Sequence, residues 1–492
     1  MTRFIEGENR FQATLFPQRL DEYIADDNPV RVIDAFVNQL KLKDLGFERA
    51  EPSEMGRPAY DARVMLKIYV YGYMNRLKTT RVLEQETHRN VDLLWLTGWL
   101  MPDHKTIGEF RRKNRKAIRR VCAEFVGICR ELKLFTGVIV AIDGSKFKAV
   151  NSRDKNFTCK SIKRRMKNLQ GHIDRYLVVL DAADKREPEY HKDTAEELEA
   201  KIASMKSRMA ELKVIESAVE AHPDKQISLT DPDSRSMAKA GGGTTVGYNV
   251  QTAVDSENHL IVAHEVTNDT TDRSQLSSMA AQAKEALSEE ASDEVAKEGE
   301  AQAEELTVLA DAGYYKGEEI LECKKNGIRA LVPKTDTSES KAKGRYGKSD
   351  FIYDAEQDEY ICPAKERLTY RFDSHEDGKT LRVYMTYRCS FCPLQAKCTK
   401  SNARRIKRWE HEEVLEAAEA DLKRSPDALR LRKQIVEHPY GTIKHRMGAT
   451  HFVMKRLENV QAEMSLHVLA YNLTRVINIV GVPALMAQLQ AA

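Results

Sequence analysis

Two apolar, β-branched runs that each end in an aspartate followed by a nearby glycine constrain this chain more than any other feature. They are VIVAIDGS (138–145), ending in Asp143, and LTVLADAGYY (306–315), ending in Asp311. Each run suits a buried strand. YNVQTAVD (248–255) and HLIVAHEVT (259–267) read as a hairpin around a short polar turn, and RALVP (329–333) supplies a fifth strand. A lone strand-end aspartate most often caps the following turn. Two of the same form can converge if their strands are neighbours, with the glycines letting the backbone turn away. A third carboxylate, Glu437 in RLRKQIVEHPYGTIKHR, could arrive on a helix packed against the sheet. Three carboxylates make the all-oxygen site that a hard divalent cation such as Mg²⁺ requires. Two such ions, roughly 3.5–4 Å apart, activate the attacking oxygen and stabilise the leaving one in an in-line phosphoryl displacement.

The remaining sequence divides around this sheet. At 492 residues the chain exceeds one domain, and ~150 residues per domain gives two to four units. Residues 1–135 read as helical, with apolar positions at helical spacing in Val30, Ile33, Phe36, Val37 and Leu40, and again in Val64, Met65, Ile68, Tyr69 and Gly72. Within 101–120, eight Lys or Arg face only Asp103 and Glu109, a net of +6. Arg111, Arg112, Lys113, Arg115 and Lys116 are candidate DNA contacts there, against the plainer reading of a solvated face. Between the first strand and the hairpin, Ile162, Met166, Leu169, Ile173, Tyr176 and Leu180 form one heptad seam, and Leu198, Ile202, Met205, Met209 and Leu212 another. An antiparallel helical (coiled-coil) insertion over 156–230 follows. The run 281–305 nets −7 and reads as a solvated helix, which explains why the whole chain shows only +3. Glycines 241–243 read as a flexible connection, since no GK[ST] ending follows.

Four of the eight cysteines crowd into one stretch: Cys362, Cys389, Cys392 and Cys398. A CxxC pair with two further thiolates suits a tetrahedral structural Zn²⁺, with a three-cysteine site or small buried residues as alternatives. The module would occupy 335–408 and be rich in hairpins. Its extension 400–408 carries five positive charges, of which Arg404 and Arg405 are candidate DNA contacts, although a solvated linker has the same composition. No export signal is visible at the N-terminus. The apolar segment Val476–Ala487 contains Pro483 and is shorter than the ~20 residues that span a bilayer. The expectation is a cytoplasmic protein with no membrane partner.

The chain resembles bacterial insertion-sequence transposases of the DDE class. The residues that carry the resemblance are NPVRVIDAFV, GRPAYDARVMLKIYVYGYMNRLKTTRVLEQETHRNVDLLWLTG, FRRKN, the two aspartate runs, DPDSR, VGYNVQTAVD, and VEHPYGTIKHRMG with AEMSLHVLAYNLTRVINI, over about 27–480. It implies an α/β catalytic core with a ribonuclease-H-like mixed five-stranded sheet over 136–480, interrupted by the helical-hairpin and cysteine-rich insertions. It further implies an N-terminal all-α DNA-binding domain over 1–135 and a C-terminal tail over 481–492. Asp143, Asp311 and Glu437 are then the catalytic triad, binding two Mg²⁺ ions for which Mn²⁺ can substitute. Lys444, seven residues beyond Glu437, matches the lysine of the family's Tyr-Arg-Glu-Lys signature and would contact a phosphate. Arg430 stands at the signature's Tyr position and Lys433 at its Arg position, which keeps a positive charge but loses bidentate geometry. Pro439 argues against a straight helix through the site. Glu458 and Glu463 compete with Glu437, but suit solvent-facing or packing positions better. Tyr314 and Tyr315 could stack on a base, or simply pack. The implied partners are the element's terminal inverted repeats and target DNA, bound by a homodimer in a nucleoid-associated location. The rival readings are a DNA-binding transposase remnant without chemistry, and a nuclease that cuts without joining.

Overall fold

Helix starts in the N-terminal region are set by their caps. The Asn28 side chain accepts from the Val30 amide at 2.9 Å and Pro29 fills the first turn, launching α1 (Pro29–Gln39). Asp61 caps α2 (Ala62–Met74) in the same manner. α3 (Thr80–Thr87) and α4 (Val91–Thr97) follow, and α4 stops at Gly98 in the left-handed conformation. Asp103 caps α5 (His104–Lys113), which leads into α6 (Arg115–Glu131). The apolar positions expected to face inward do so, with Val30, Ile33, Phe36, Met65, Ile68 and Tyr69 all buried. The structure is a computed structural model that describes residues 19–51, 58–135, 138–183, 192–238, 242–288, 305–335 and 343–491. The N-terminal segment read for an export signal, Gly241 and most of the acidic run 281–305 lie outside the described residues.

The central sheet is mixed, as expected, but has six strands and not five, because residues 235–238 add a strand that the sequence reading did not include. It contains β1 (Ile139–Lys148), β4 (Arg235–Ala238), β5 (Thr244–Asp255), β6 (Ile261–Thr267), β7 (Leu306–Leu309) and β8 (Ile328–Leu331). β1, β7 and β8 are parallel neighbours; β5 runs antiparallel along the other edge of β1 and carries both β4 and β6 on its far side. A second expectation fails here. The first strand does not end at Asp143 but runs straight on to Lys148, because Gly144 to Lys148 keep pairing with β5. Gly144 therefore makes no turn. It provides room, since a Cβ there would collide with the Asp272 carboxylate and sit 2.6 Å from Gln251 Nε2.

Between β1 and β4 the chain leaves the sheet through β2 (Asn156–Thr158) and returns through β3 (Gln226–Ser228), and these two strands pair at the base of α7 (Cys159–Ala183) and α8 (Lys192–Ala221). Ile162, Ile173, Ile202 and Leu212 of the two seams are buried between the helices, as their spacing required. After β6 come α9 (Leu276–Leu287) and, beyond β7, α10 (Gly317–Lys325). The cysteine-rich insertion is a separate antiparallel sheet of β9 (Ile352–Asp354), β10 (Glu359–Ile361), β11 (Arg367–Glu376), β12 (Lys379–Met385) and β13 (Arg405–Trp409), with the one-turn α11 (Gln395–Cys398) between the last two. Trp409 anchors it: its ring stands 3.1 Å from where a Gly317 Cβ would lie, and Lys379 pairs with Glu318 at 2.7 Å.

Four helices close the chain: α12 (Glu412–Arg424), α13 (Ala428–Gly441), α14 (Leu457–Val480) and α15 (Val482–Ala491). They change the expected division. α14 packs against α2, α6 and β6, so that one hydrophobic cluster joins the N-terminal helices, one sheet face (Ala141, Phe147, Val250, Leu309) and α13 to α15. The other sheet face (Val140, Ile142, Val308) packs on α9, α10 and α12. The segment expected as a C-terminal tail is a helix as far as it is described, and Val482, Leu485 and Leu489 are core residues of α15, which packs on α1. No single described helix is long and apolar enough to cross a membrane.

The shared core contains a neutral histidine. His467 of α14 is fully buried edge-on against Tyr73, with ring centroids 4.6 Å apart, and neither ring nitrogen has a hydrogen-bond partner among the described residues. Burial holds its pKa well below the usual value. The unfolded chain therefore takes up a proton below pH ~6.5 that the native state refuses, and stability is lost as pH falls, by up to about 1.4 kcal/mol per unit. His467→Phe is expected to flatten the fall in melting temperature between about pH 6.5 and 5; an unchanged slope would count against this account.

Candidate active site

Strand register brings the two aspartates together. In the parallel pair β1 and β7, Ala141 stands opposite Leu309, and each aspartate lies two residues beyond that point. Asp143 is still within β1, opposite Thr252 of β5. Asp311 has left β7, and its Oδ1 accepts the Gly313 amide at 2.8 Å to cap a short 3₁₀ turn. The capping role and the paired position coexist.

A third group completes the pair, and sequence reasoning missed it. Arg432 of α13 donates from Nη2 to Asp143 Oδ1 at 2.5 Å and stands 3.5 Å from Asp311 Oδ2. The Arg432 side chain is only 10% exposed, so the bridge is shielded from solvent, and its Nε is buried with no hydrogen-bond partner among the described residues. Burial pushes the Asp143 carboxyl up to about 6; Arg432 opposes that shift and the Asp311 charge adds to it. The two acids thus share one cation, which shows that the site demands positive charge. The signal was available: Arg432 falls on the buried stripe of α13 with Ala428, Ile435, Val436, Pro439 and Tyr440, where a charge needs a partner.

The rest of α13 fixes the helix over β1. The Tyr440 hydroxyl lies 2.7 Å from the Val250 carbonyl and 3.0 Å from that of Asp143. The helix passes through Pro439 and continues into a π-helical turn, Thr442–Arg446, which accommodates the lost amide without breaking the segment. That turn carries Lys444, whose ammonium donates to Ser145 Oγ and to the Lys146 carbonyl at 3.3 Å, and lies 4.5 Å from the Phe147 ring centroid. Burial lowers its pKa, against the pull of Asp143.

On the opposite face of β1, Asp272 is a carboxylate that sequence reasoning did not single out. It receives Lys146 at 3.1 Å, Asn249 at 2.6 Å and Gln251 at 2.8 Å, behind Gly144. Tyr314 is buried and its hydroxyl donates to Gln251, so it packs and does not stack on a base.

Glu437 shares α13 with Arg432 but is exposed, and it makes no ion pair among the described residues. No set of three His, Cys, Asp or Glu side chains among the described residues stands in metal-holding geometry. Glu463 is not a competitor: it is wholly buried and accepts the amides of Val453 and Met454. Glu458 is exposed and pairs with Arg115 at 3.4 Å.

The basic candidates separate by burial. Arg111 is a correction: it lies inside the helical region, bonded to the Tyr73 hydroxyl at 2.8 Å and 5.2 Å from the Tyr69 ring, where DNA cannot reach it. Lys113 pairs with Glu109 at 2.8 Å, and Arg115 also bonds Asn459. Arg112, Lys116, Lys433 and Arg405 are exposed and make no ion pair among the described residues. Arg404 is half-buried over Phe351.

Cys362, Cys389, Cys392 and Cys398 converge on one small cavity of about 20 Å³, otherwise lined by Tyr346, Phe351, Leu368 and Leu394. All four are free thiols. Burial raises the Cys398 pKa, Arg404 lowers it, and the other three thiols raise it further.

Comparison with known families fits this arrangement. A Transposase domain (DUF772) matches residues 18–113, and a Transposase DDE domain matches residues 361–477. With one such match near each end, the chain is placed among the insertion-sequence DDE transposases, which act on DNA. The second match covers Glu437 and Lys444 but begins beyond both aspartates, whose assignment rests on register and the arginine bridge. No curated protein and no solved structure matches the chain.

Arg432→Met would leave two neighbouring carboxylates in a shielded site and is expected to cost about 3 kcal/mol at neutral pH. In an Asp143→Asn background the same change should cost at least about 1 kcal/mol less, read from urea midpoints as a double-mutant cycle. Coupling below about 0.3 kcal/mol, within the scatter of independent sites, would show that the bridge holds nothing together.

Proposed function

We propose that this protein binds the ends of its insertion sequence, cleaves a strand there, and transfers the freed 3′ end into target DNA. The observation that carries the reading is the matched pair Asp143 and Asp311, at equal register on parallel neighbouring strands and sharing a buried guanidinium. The chemistry of the two neighbouring aspartates suits a divalent cation, and Asp143 and Asp311 would hold the ions. Glu437, exposed on the helix that carries Arg432, stands outside this geometry and would have to move toward them to join as a ligand. Two Mg²⁺ ions at such a site supply Lewis-acid stabilisation of the displaced oxygen and activation of the attacking one. Arg432 occupies the place between the acids and has to swing aside for that loading, which leaves a free guanidinium beside the substrate phosphate. Lys444, resting on β1 two residues past Asp143, is placed for a second phosphate contact.

The five strands β6, β5, β1, β7 and β8 support a ribonuclease-H-like reading of the sheet. Of the basic candidates, Arg112, Lys116, Lys433 and Arg405 are exposed and make no ion pair among the described residues, which leaves them available to the DNA backbone. Joining two ends calls for two copies of the chain on the DNA. A structural zinc site in the cysteine module is supported by four thiols from three segments lining one small cavity, although no three of them stand in metal-holding geometry and they would have to close on the ion.

With Mg²⁺ and a labelled duplex taken from the DNA flanking its own reading frame, the wild type is expected to give cleaved and joined products. Asp143→Asn, Asp311→Asn and Glu437→Gln should each reduce them by at least about a hundredfold, the scale of losing a metal-anchoring group. Undiminished product from Glu437→Gln would remove that residue from the site, and cleavage without joining would leave a nuclease. Metal analysis should find about one zinc per chain in the wild type and less in Cys389→Ser and Cys392→Ser; equal content in all three would end the zinc assignment.

A further inference from the structure

The cysteine module contains an open groove of about 650 Å³, walled by Ala364, Phe391, Pro393 and Leu394, with Arg388 and Glu366 at its rim. Phe391 is 92% exposed, and Tyr387, four residues earlier, is 69% exposed with the Arg371 guanidinium 5.3 Å over its ring. Burying a phenylalanine is worth about 1.5–3 kcal/mol, so a turn that holds one in solvent forgoes that gain. The surrounding segment 386–409 contains seven Lys or Arg and no Asp or Glu. Lys397, Lys400 and Arg405 in it are exposed and make no ion pair among the described residues. β13 ends against the start of α10, six residues beyond Asp311, so the module grows from the catalytic rim of the sheet.

We infer that this groove is a binding site for an unpaired nucleotide of a DNA strand, its base stacked on Phe391 and its phosphates held by the 386–409 cations. The inference rests on the transposase reading for the identity of the polymer. The chemistry narrows the ligand further. Arg388, Lys407 and Arg408 of the segment pair with Glu366, Glu376 and Glu416. Lys397, Lys400 and Arg405 make no ion pair among the described residues and select a polyanion, and an exposed aromatic ring in the same segment selects the π-face of a base. An intact duplex hides that face, since its bases stack on one another. The groove therefore discriminates between paired and frayed DNA. Tyr314 cannot perform this task from its buried position, whereas Phe391, beyond the end of β12 that lies away from Trp409, meets solvent.

The test uses the full chain, an oligothymidine and a duplex of equal length, both fluorescein-labelled, in anisotropy titrations at one salt concentration. Phe391→Ala is expected to weaken single-strand binding by roughly five- to hundredfold, the range that base stacking carries, while duplex binding stays within about twofold. Phe391→Trp should keep single-strand affinity, and its emission should be quenched by oligothymidine but not by the duplex. Equal loss on both DNAs would reduce the surface to plain electrostatics and overturn the proposal. No loss on either would overturn it too, and would leave the groove to a protein segment. Because Phe391 is exposed, Phe391→Ala should melt with the wild type, which separates this result from misfolding. Duplex-end cleavage that fails to depend on Asp143 and Asp311 would defeat the transposase reading while leaving a selective single-strand loss standing.

Discussion

A guanidinium held between two carboxylates organises this molecule. Burial and the neighbouring Asp311 carboxylate both oppose a charge on Asp143, and Arg432 supplies the cation that counters them from α13. The same contact pins α13 across β1 and β7, so the helix bearing Glu437 and the turn bearing Lys444 are positioned by the acids themselves. Tyr440 reinforces the alignment by reaching two strand carbonyls from one turn further along. A site built this way is electrostatically satisfied before it meets its substrate. Opening it requires a competing positive charge, which is the property expected of a centre that should act only when loaded.

The second dependence is the shared core. Because α14 packs on both the sheet and the N-terminal helices, the element that would grip DNA ends and the element that would cut them are not separate bodies on a linker. Buried polar groups at that junction (Arg111, Tyr73, Glu463 and His467) make it sensitive to protonation and intolerant of simple truncation. The two insertions behave differently. The helical hairpin has its own small cluster around Phe157, Ile162, Leu212 and Val219, and the cysteine module has one around Phe351, Tyr360, Leu368 and Tyr384. Each joins the sheet through a narrow base, so each can carry a separate contact surface without disturbing the catalytic strands.

Much of this was legible in the amino-acid order. Period-two and β-branched runs identified the strands, heptad spacing identified the hairpin, and the convergence of four cysteines followed from their clustering. What failed to show was whatever depends on which faces meet. Arg432 has its only sequence signal in its place on an apolar helix stripe, and its partners, 289 and 121 positions away, are not legible locally. Arg111 reads as a DNA-facing cation of a basic run, yet its helix turns it onto Tyr69 and Tyr73. Asp272 carried no local pattern and acquires meaning only through three donors from neighbouring strands.

By itself, then, the sequence determined most of the elements and picked out the two strand-borne aspartates, since these follow from local periodicity and residue type. Register and packing decided the rest. That Asp143 and Asp311 stand side by side, that Arg432 fills the space between them, and that Glu437 stays outside it are consequences of strand order and helix rotation. Those are set by burial summed over the whole core and are not encoded at any single position.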